Sequence, residues 1–347
     1  MSYISFQPSD HFNTKLYTGN SSSTQAVTGV GFQPDWVWIK QRNLAYSHVL
    51  FDAVRGVGKN IQSNSTAAEE TNNSSGYLSA FDSDGFTLSQ GSSNGDRVNG
   101  AYNYVGWNWK ANGQGSSNTD GSINTTYTSA NTTSGFSIST YAGTGSAATV
   151  GHGLGAVPKM IIVKRLNGAS DWMVYHESIG NDHRLRLNTT AAKQDNPVWN
   201  DTTPTSSVFS MNDNGDANAS GGNYVAYAFS EKRGFSSINS YVGNGSTDGT
   251  FVYTGFKPAF VLVKNTAIAD NWSIFDNKRI GYNAFNYVLY ADITNVGSNG
   301  LPMDILSNGF KWRTDAAMVN GSGQSHIFMA FAEAPLVSSN GVPATAR

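Results

Sequence analysis

The chain has 347 residues, more than one hydrophobic core usually holds, so two or three domains are expected. Only 13% of the residues are charged, 12% are aromatic, and 37 glycines accompany long Asn, Ser and Thr runs, a composition of many short strands joined by tight polar turns. A net charge of -2 and a pI near 6.3 give no basic footprint for nucleic acid or an anionic membrane, and the lack of cysteine excludes disulfides and thiolate metal sites.

In chain order, the opening MSYISFQPSDHF has no basic region followed by an apolar one, and no apolar run reaches the length of a membrane span. FNTKLYTGN, from Phe12, reads as a strand and a turn. In GFQPDWVWIK, Pro34 and Asp35 precede four apolar residues, Trp36 to Ile39, which suit a short buried strand with Trp36 and Trp38 on one face. SNSTAAEETNNSSG, from Ser63, reads as a surface loop. FDSDGFTL reads as a hairpin whose turn needs positive φ; the spaced acidic ligands and terminal Glu of a calcium loop are missing around Asp82 and Asp84. No helix longer than a few residues is signalled, although AAEE near Ala67 and TAAK near Thr190 each suit a single turn.

The same series then recurs twice. PDWVWIK from Pro34 is matched by PKMIIVK from Pro158 and PAFVLVK from Pro258, and at a fixed distance beyond each lysine stand Phe51, Tyr175 and Phe275, followed by Asp52, His176 and Asp276. YVGWNWK, YVAYAFS and HIFMAFA close the three copies, with Trp109, Phe229 and Phe331 in register, and each copy opens alike at Phe12, Phe136 and Phe235. The Trp36 slot holds Trp, Met or Phe and the Trp38 slot Trp, Ile or Leu, which is how core positions behave; a sugar-stacking platform would need an aromatic ring each time. Each strand is therefore expected in its own core, three in all. Lys40, Lys164 and Lys264 are expected where the strand reaches solvent, with only the stem covered.

The fold class that follows is all-β: three tandem antiparallel β-sandwich repeats, jelly-roll-like and each of roughly 100 residues, over residues 1–113, 114–233 and 234–347. Residues 111–135 hold the extra length between the first two copies: a Gly/Ser/Asn linker, then residues 123–128 as a hairpin strand for residues 136–141. The short second junction predicts a close second–third pair with a more independent first copy. EAPLVSSNGVPATAR reads as an extended tail. It and the N-terminal segment are the expected contacts of a homo-oligomer or coat lattice.

TGVGFQPDWVWIKQRN, LFDAVRG, FDSDGFTL, GHGLGAVPKMIIVKR and FMAFAEAPLV resemble a repeat domain of bacteriophage structural proteins, frequent in marine phages of cyanobacteria and related bacteria. Members are commonly labelled tail fibre or virion protein, and the domain looks distantly like laminin-G or concanavalin sandwiches. The resemblance covers nearly the whole chain, except that the second copy has NDNGD in place of SDGF. It implies a virion location after synthesis in the host cytoplasm, partners among other phage coat, tail or fibre proteins, and no catalytic residues to carry over.

Chemistry is sparse. The carboxylates sit mostly in turns rather than as a hydrolytic pair, the six histidines lack metal spacing, and RGVGKN fails as a phosphate loop because Ala53 and Asn60 occupy required positions. No cofactor, metal, nucleic acid or membrane insertion is expected. Trp312 matches Leu88 and reads as core. Trp199, in a polar stretch special to the second copy, is the candidate for glycan contact, its indole stacking on a ring while Asp195, Asn200 and Asp201 bind hydroxyls; a lone Trp beside Pro also suits a plug at the end of a sandwich. The function expected is a non-enzymatic structural protein of a phage virion, in a fibre, appendage or head decoration. The alternative is a carbohydrate-binding adhesin for host attachment.

Overall fold

Every residue of the strand Trp36–Gln41 is buried. Its alternation sends Trp36 and Trp38 into one apolar cluster and Val37 and Ile39 into another. A strand covered on both faces carries a continuous apolar run instead of an alternating one. The computed structural model describes residues 6–279, 283 and 287–335, and over them the fold is all-β, built of several antiparallel sheets.

Three large sheets share a pattern. The first has the order Phe12–Thr18, Asn103–Trp109, Trp36–Gln41, Val49–Asp52. The second repeats it as Phe136–Ala142, Asn223–Phe229, Met160–Arg165, Met173–His176, adding Tyr127–Asn131 at one edge and His183–Arg186 and Gln194–Asp195 at the other. The third runs Ser236–Val242, Ser325–Pro335, Phe256–Asn265, Ser273–Asp276, Leu289–Tyr290. Register matches as well: Trp36 lies opposite Trp109 and Asp52, Met160 opposite Phe229 and His176, and Phe260 opposite Phe331 and Asp276.

A smaller sheet covers one face of each large sheet. It consists of Thr24–Thr28, Gly85–Ser89 and Tyr77–Asp82 in the first sandwich, Ala148–Gly151 and Val208–Met211 in the second, and Phe251–Tyr253, Gly309–Trp312 and Met303–Leu306 in the third. Apolar side chains between each pair of sheets make a separate core, with Trp312 in the third. The turns at Asp84–Gly85 and Asn308–Gly309 form tight hairpins, and a Cβ at either glycine would lie about 2 Å from a partner-strand carbonyl oxygen (2.0 Å at Val27, 2.1 Å at Val252). Asp84 accepts the amides of Gly31 at 2.7 Å and Gly29 at 2.9 Å, so its carboxylate serves the turn.

The other faces of the three large sheets meet one another. Trp36, Trp38, Met160, Ile162, Phe260 and Leu262 all belong to a single common cluster. Trp109 and Phe331 have ring centroids 5.7 Å apart, Phe229 and Phe331 6.1 Å, and Trp36 and Phe229 5.9 Å. The expectation of one core per copy is thereby corrected: the matched Trp36 and Trp38 slots line a shared core, and only the alternate positions line separate ones. The cause is the apolar second face, which has to be buried against something. The first copy is likewise not independent, because Trp36 stacks on Tyr227 of the second sandwich at 4.6 Å and Phe12 on Phe331 of the third at 5.3 Å.

Several local expectations also change. Lys40, Lys164 and Lys264 are 0% exposed rather than emerging into solvent, because the neighbouring sandwich or a local loop covers each strand end and presents carbonyls to the ammonium group. The linker hairpin is Tyr127–Asn131 with Phe136–Ala142, a few residues later than expected, and Ile123 bridges Val150 instead. Ala67 and Thr190 are not helical; among the described residues the α-helices are Gly215–Asn218, capped by Asn214, and Ala317–Asn320. NDNGD leads into the first of these helices and follows the strand Val208–Met211, so it is not the counterpart of SDGF. Glu333 and Pro335 continue a strand rather than beginning a tail. The expected contact segments, residues 1–5 and 336–347, lie outside the described residues.

Candidate functional site

A set of buried polar groups forms hydrogen bonds where the sandwiches touch. The slot three residues before Phe51, Tyr175 and Phe275 holds His48, Trp172 and Trp272. Trp172 Nε1 donates to the Gln62 carbonyl of the first sandwich at 3.0 Å, and Trp272 Nε1 donates to the equivalent Arg186 carbonyl of the second at 2.9 Å. His48 faces the Tyr290 carbonyl of the third, the remaining member of the set. That approach lacks full hydrogen-bonding geometry, since Nε2 has no hydrogen-bond partner among the described residues. Trp38 Nε1 donates to His48 Nδ1 at 2.8 Å, which puts the neutral ring's proton on Nε2. Burial holds His48 well below its usual pKa, with Lys40 adding to the effect.

A second ring of contacts uses the Asp52, His176 and Asp276 slots. Tyr227 of the second sandwich donates to Asp52 of the first at 2.7 Å, and Trp107 of the first donates to Asp276 of the third at 3.1 Å. The position in the third sandwich that matches Trp107 and Tyr227 is Met329, which has no N–H or O–H to offer. There the acceptor slot carries His176, which reaches the Phe328 carbonyl at 3.4 Å. Burial pushes the His176 ring down to about 4, keeping it neutral. The change from Asp to His accompanies two losses, the donor opposite and the arginine three residues on, which is Arg55 or Arg279 in the other copies and Ile179 here; a carboxylate without them would be costly in this interior.

The three lysines are held by carbonyls. Lys164 Nζ donates to Thr66 of the first sandwich and Ser170, both at 3.2 Å, and Lys264 Nζ donates to Thr190 of the second at 3.1 Å and Asn265 at 2.7 Å. Lys40 Nζ donates to Gln41 at 2.6 Å. Burial lowers each of them to about 8.

Of the residues proposed for glycan contact, Asp195, Asn200 and Asp201 are exposed, but Trp199 is 1% exposed. Its indole packs edge-on against Tyr175, with centroids 5.8 Å apart, inside the second sandwich. Trp199 as a sugar platform is therefore corrected. The small sheet of that sandwich has two strands where the others have three, and Val198 and Trp199, on the single turn Pro197–Trp199, help fill that core. The plug reading matches this position.

A polar cavity of about 180 Å³ lies instead between the first and third sandwiches. Arg42, Asn43 and Asn103 line it from the first, and Arg279, Tyr287, Leu289 and Gly297 from the third. Arg279 is anchored by Asp276, which accepts from its Nε at 2.5 Å, and by the Ile274 carbonyl, which accepts from Nη2 at 2.9 Å, while Nη1 has no hydrogen-bond partner among the described residues. Burial and the neighbouring Arg279 lower the Arg42 pKa, against the opposing effect of Asp276. No ion pair forms at Arg42 among the described residues. Neither Arg42 nor Arg279 stands out in the sequence. Aligning Asp52 with Asp276 would have paired Arg55 with Arg279, but a cavity formed by two distant copies has no local signature.

Residues 7–335 match the family model described as a domain of unknown function, DUF7483. The chain belongs to the DUF7483 family. One DUF7483 match spans all three large sheets and their common core, so the family is defined over the whole assembly. No curated protein and no solved structure matches the chain.

Proposed function

We propose that this DUF7483 protein is a non-enzymatic structural component of a bacteriophage particle, either a fibre or appendage subunit or a head decoration protein. It would be made in the host cytoplasm and carried on the virion among other phage structural proteins. The observation that supports the reading is the common core. Segments that carry the phage resemblance line it, with Trp36 and Trp38 from one, Met160 and Ile162 from another and Phe331 from a third. Three sandwiches that brace one another within one chain suit a rigid block placed on a symmetric particle, as a homo-oligomer or on a lattice. The interior histidines and lysines fit a holding role, since their partners are backbone carbonyls and amides, a serine hydroxyl and a tryptophan.

Mass spectrometry of purified particles, with immunogold labelling for position, tests the proposal. A fixed copy number on head or tail is expected, and absence from the particles overturns it. Incubation with host-envelope polysaccharide tests the non-enzymatic part: no new reducing ends are expected, and release that disappears in Asp201→Asn would make the protein a depolymerase. The adhesin alternative no longer has Trp199 in its favour. Glycan-array binding that depends on Asp195, Asn200 or Asp201 would restore it.

A further inference from the structure

The cavity between the first and third sandwiches has an occupied counterpart elsewhere in the molecule. Arg55 of the first sandwich and Arg279 of the third are held alike: Nε to the preceding aspartate at 2.5 Å in both, and Nη2 to the Leu50 carbonyl at 3.0 Å or the Ile274 carbonyl at 2.9 Å. They differ at Nη1. Arg55 Nη1 donates to the Glu69 carboxylate at 3.1 Å, and that carboxylate also pairs with Lys59 at 3.1 Å. Counting from the paired residues Ile61 and Leu289, which take the same place beside Leu50 and Ile274, and from Thr66 and Thr294 beyond them, the third sandwich has Tyr287 in the slot of Lys59 and Gly297 in the slot of Glu69. Both line the cavity.

Arg279 is 8% exposed and its Nη1 has no hydrogen-bond partner among the described residues. A Cβ built on Gly297 would lie 3.8 Å from Nη1 and no closer than 3.5 Å to anything else, at the Val288 oxygen. The cavity thus occupies the place that the Glu69 side chain fills in the first sandwich. Across it, the slot that is Leu166 in the second sandwich, where its carbonyl accepts from the Glu69 amide at 2.8 Å, is Arg42 in the first. The place of the missing carboxylate is thus faced by a second guanidinium. Two neighbouring cations of this kind favour an anion, and a planar guanidinium edge suits a carboxylate.

We propose that this cavity binds a small carboxylate-bearing, hydroxylated ligand, a sugar acid, whose carboxylate takes the place of the absent Glu69 side chain between Arg279 and Arg42. Asn43, Asn103 and Tyr287 at its wall offer amide and phenol groups to hydroxyls. The volume admits the carboxyl end of one sugar ring and leaves the remainder outside. The proposal stands apart from the virion reading and holds whether or not the chain is found in particles.

The test is calorimetric titration of the full chain with sodium glucuronate at low ionic strength, where screening is weak, with glucose, acetate and sodium sulfate as comparison probes. Binding at one site per chain is expected for glucuronate, more weakly for acetate, and not for glucose. Gly297→Glu supplies the carboxylate from within and is expected to raise the melting temperature while weakening glucuronate by about tenfold or more. Gly297→Ala, which fits the same space, is expected to retain binding. Arg42→Gln is expected to weaken binding with the fold intact. Three results overturn the proposal: no glucuronate binding by the natural chain, binding unchanged in a folded Gly297→Glu chain, or sulfate or glucose bound as well as glucuronate.

Discussion

Tyr227 in the second sandwich donates its hydroxyl to Asp52 in the first across 2.7 Å, and the same carboxylate oxygen accepts from Arg55 Nε at 2.5 Å. Asp52 and Arg55 are both almost fully enclosed, so the hydroxyl adds a hydrogen bond to a charge that has no access to water. Removing it by Tyr227→Phe should cost about 1.5–3 kcal/mol. Asp52→Ala should cost more, about 3–5 kcal/mol, because it leaves the Arg55 guanidinium buried with only Glu69 as counter-charge. Urea denaturation of both variants measures the difference. A cost below about 1 kcal/mol for Asp52→Ala would mean the pair does not hold the two sandwiches together.

Because Trp36 stacks on Tyr227 at 4.6 Å and lies 5.9 Å from Phe229, the first and second sandwiches should not unfold independently. Trp36→Ala, Ile162→Ala and Leu262→Ala should each cost on the order of 2–5 kcal/mol. Trp36→Ala combined with Tyr227→Ala should depart from additivity by about 0.5–3 kcal/mol. Calorimetry should record one cooperative transition for the whole chain. Three resolved transitions, or strict additivity in the cycle, would contradict a shared core.

The internal copies, the all-β class and the apolar strands were legible because each rests on a short-range pattern: the Pro-to-Lys spacing, strand-length apolar runs, and Gly-rich turns. What those patterns concealed was the second face of each large sheet. Trp36 and Val37 read equally as core, and nothing in the sequence says that one faces a private core and its neighbour a common one. The lysines were misread for the same reason. A lysine at a strand end ordinarily emerges into water, but the carbonyls that enclose Lys164 and Lys264 come partly from another sandwich. Trp199 was legible as an oddity of the second copy. Its burial depended on that copy's small sheet having one strand fewer.

Lys164 makes the revised lysine role measurable. Lys164→Ala removes the donor to the Thr66 and Ser170 carbonyls and leaves an apolar void, so it should cost on the order of 2–4 kcal/mol, more than a partly exposed stem would. Lys164→Met, which keeps the volume and removes only the charge and its hydrogen bonds, should cost less than Lys164→Ala. Equal and negligible losses in both variants, read from urea midpoints, would return the residue to a surface role.

The alkaline pH dependence follows from the same three lysines. Burial lowers Lys40, Lys164 and Lys264 from 10.5 to about 8. Below pH 8 both the folded and the unfolded chain carry these protons, and the fold bears the cost of three enclosed charges. Between about pH 8 and 10.5 the unfolded chain holds more protons than the folded one, so stability rises with pH, by at most about 1.4 kcal/mol per pH unit for each lysine. Tyr17, Tyr141, Tyr227 and Tyr241 set the upper limit. Burial raises them well above 10, so above pH 10 the unfolded chain loses phenolic protons that the fold retains, and stability falls. The urea midpoint of the natural chain should therefore climb from pH 8 to near pH 10 and then decline. A chain carrying Lys40→Met, Lys164→Met and Lys264→Met should lack the climb and keep the decline. A natural chain whose stability falls steadily from pH 8 upward would show that the lysines stay charged in the fold, and the carbonyls around each Nζ would then be strong enough to offset its burial.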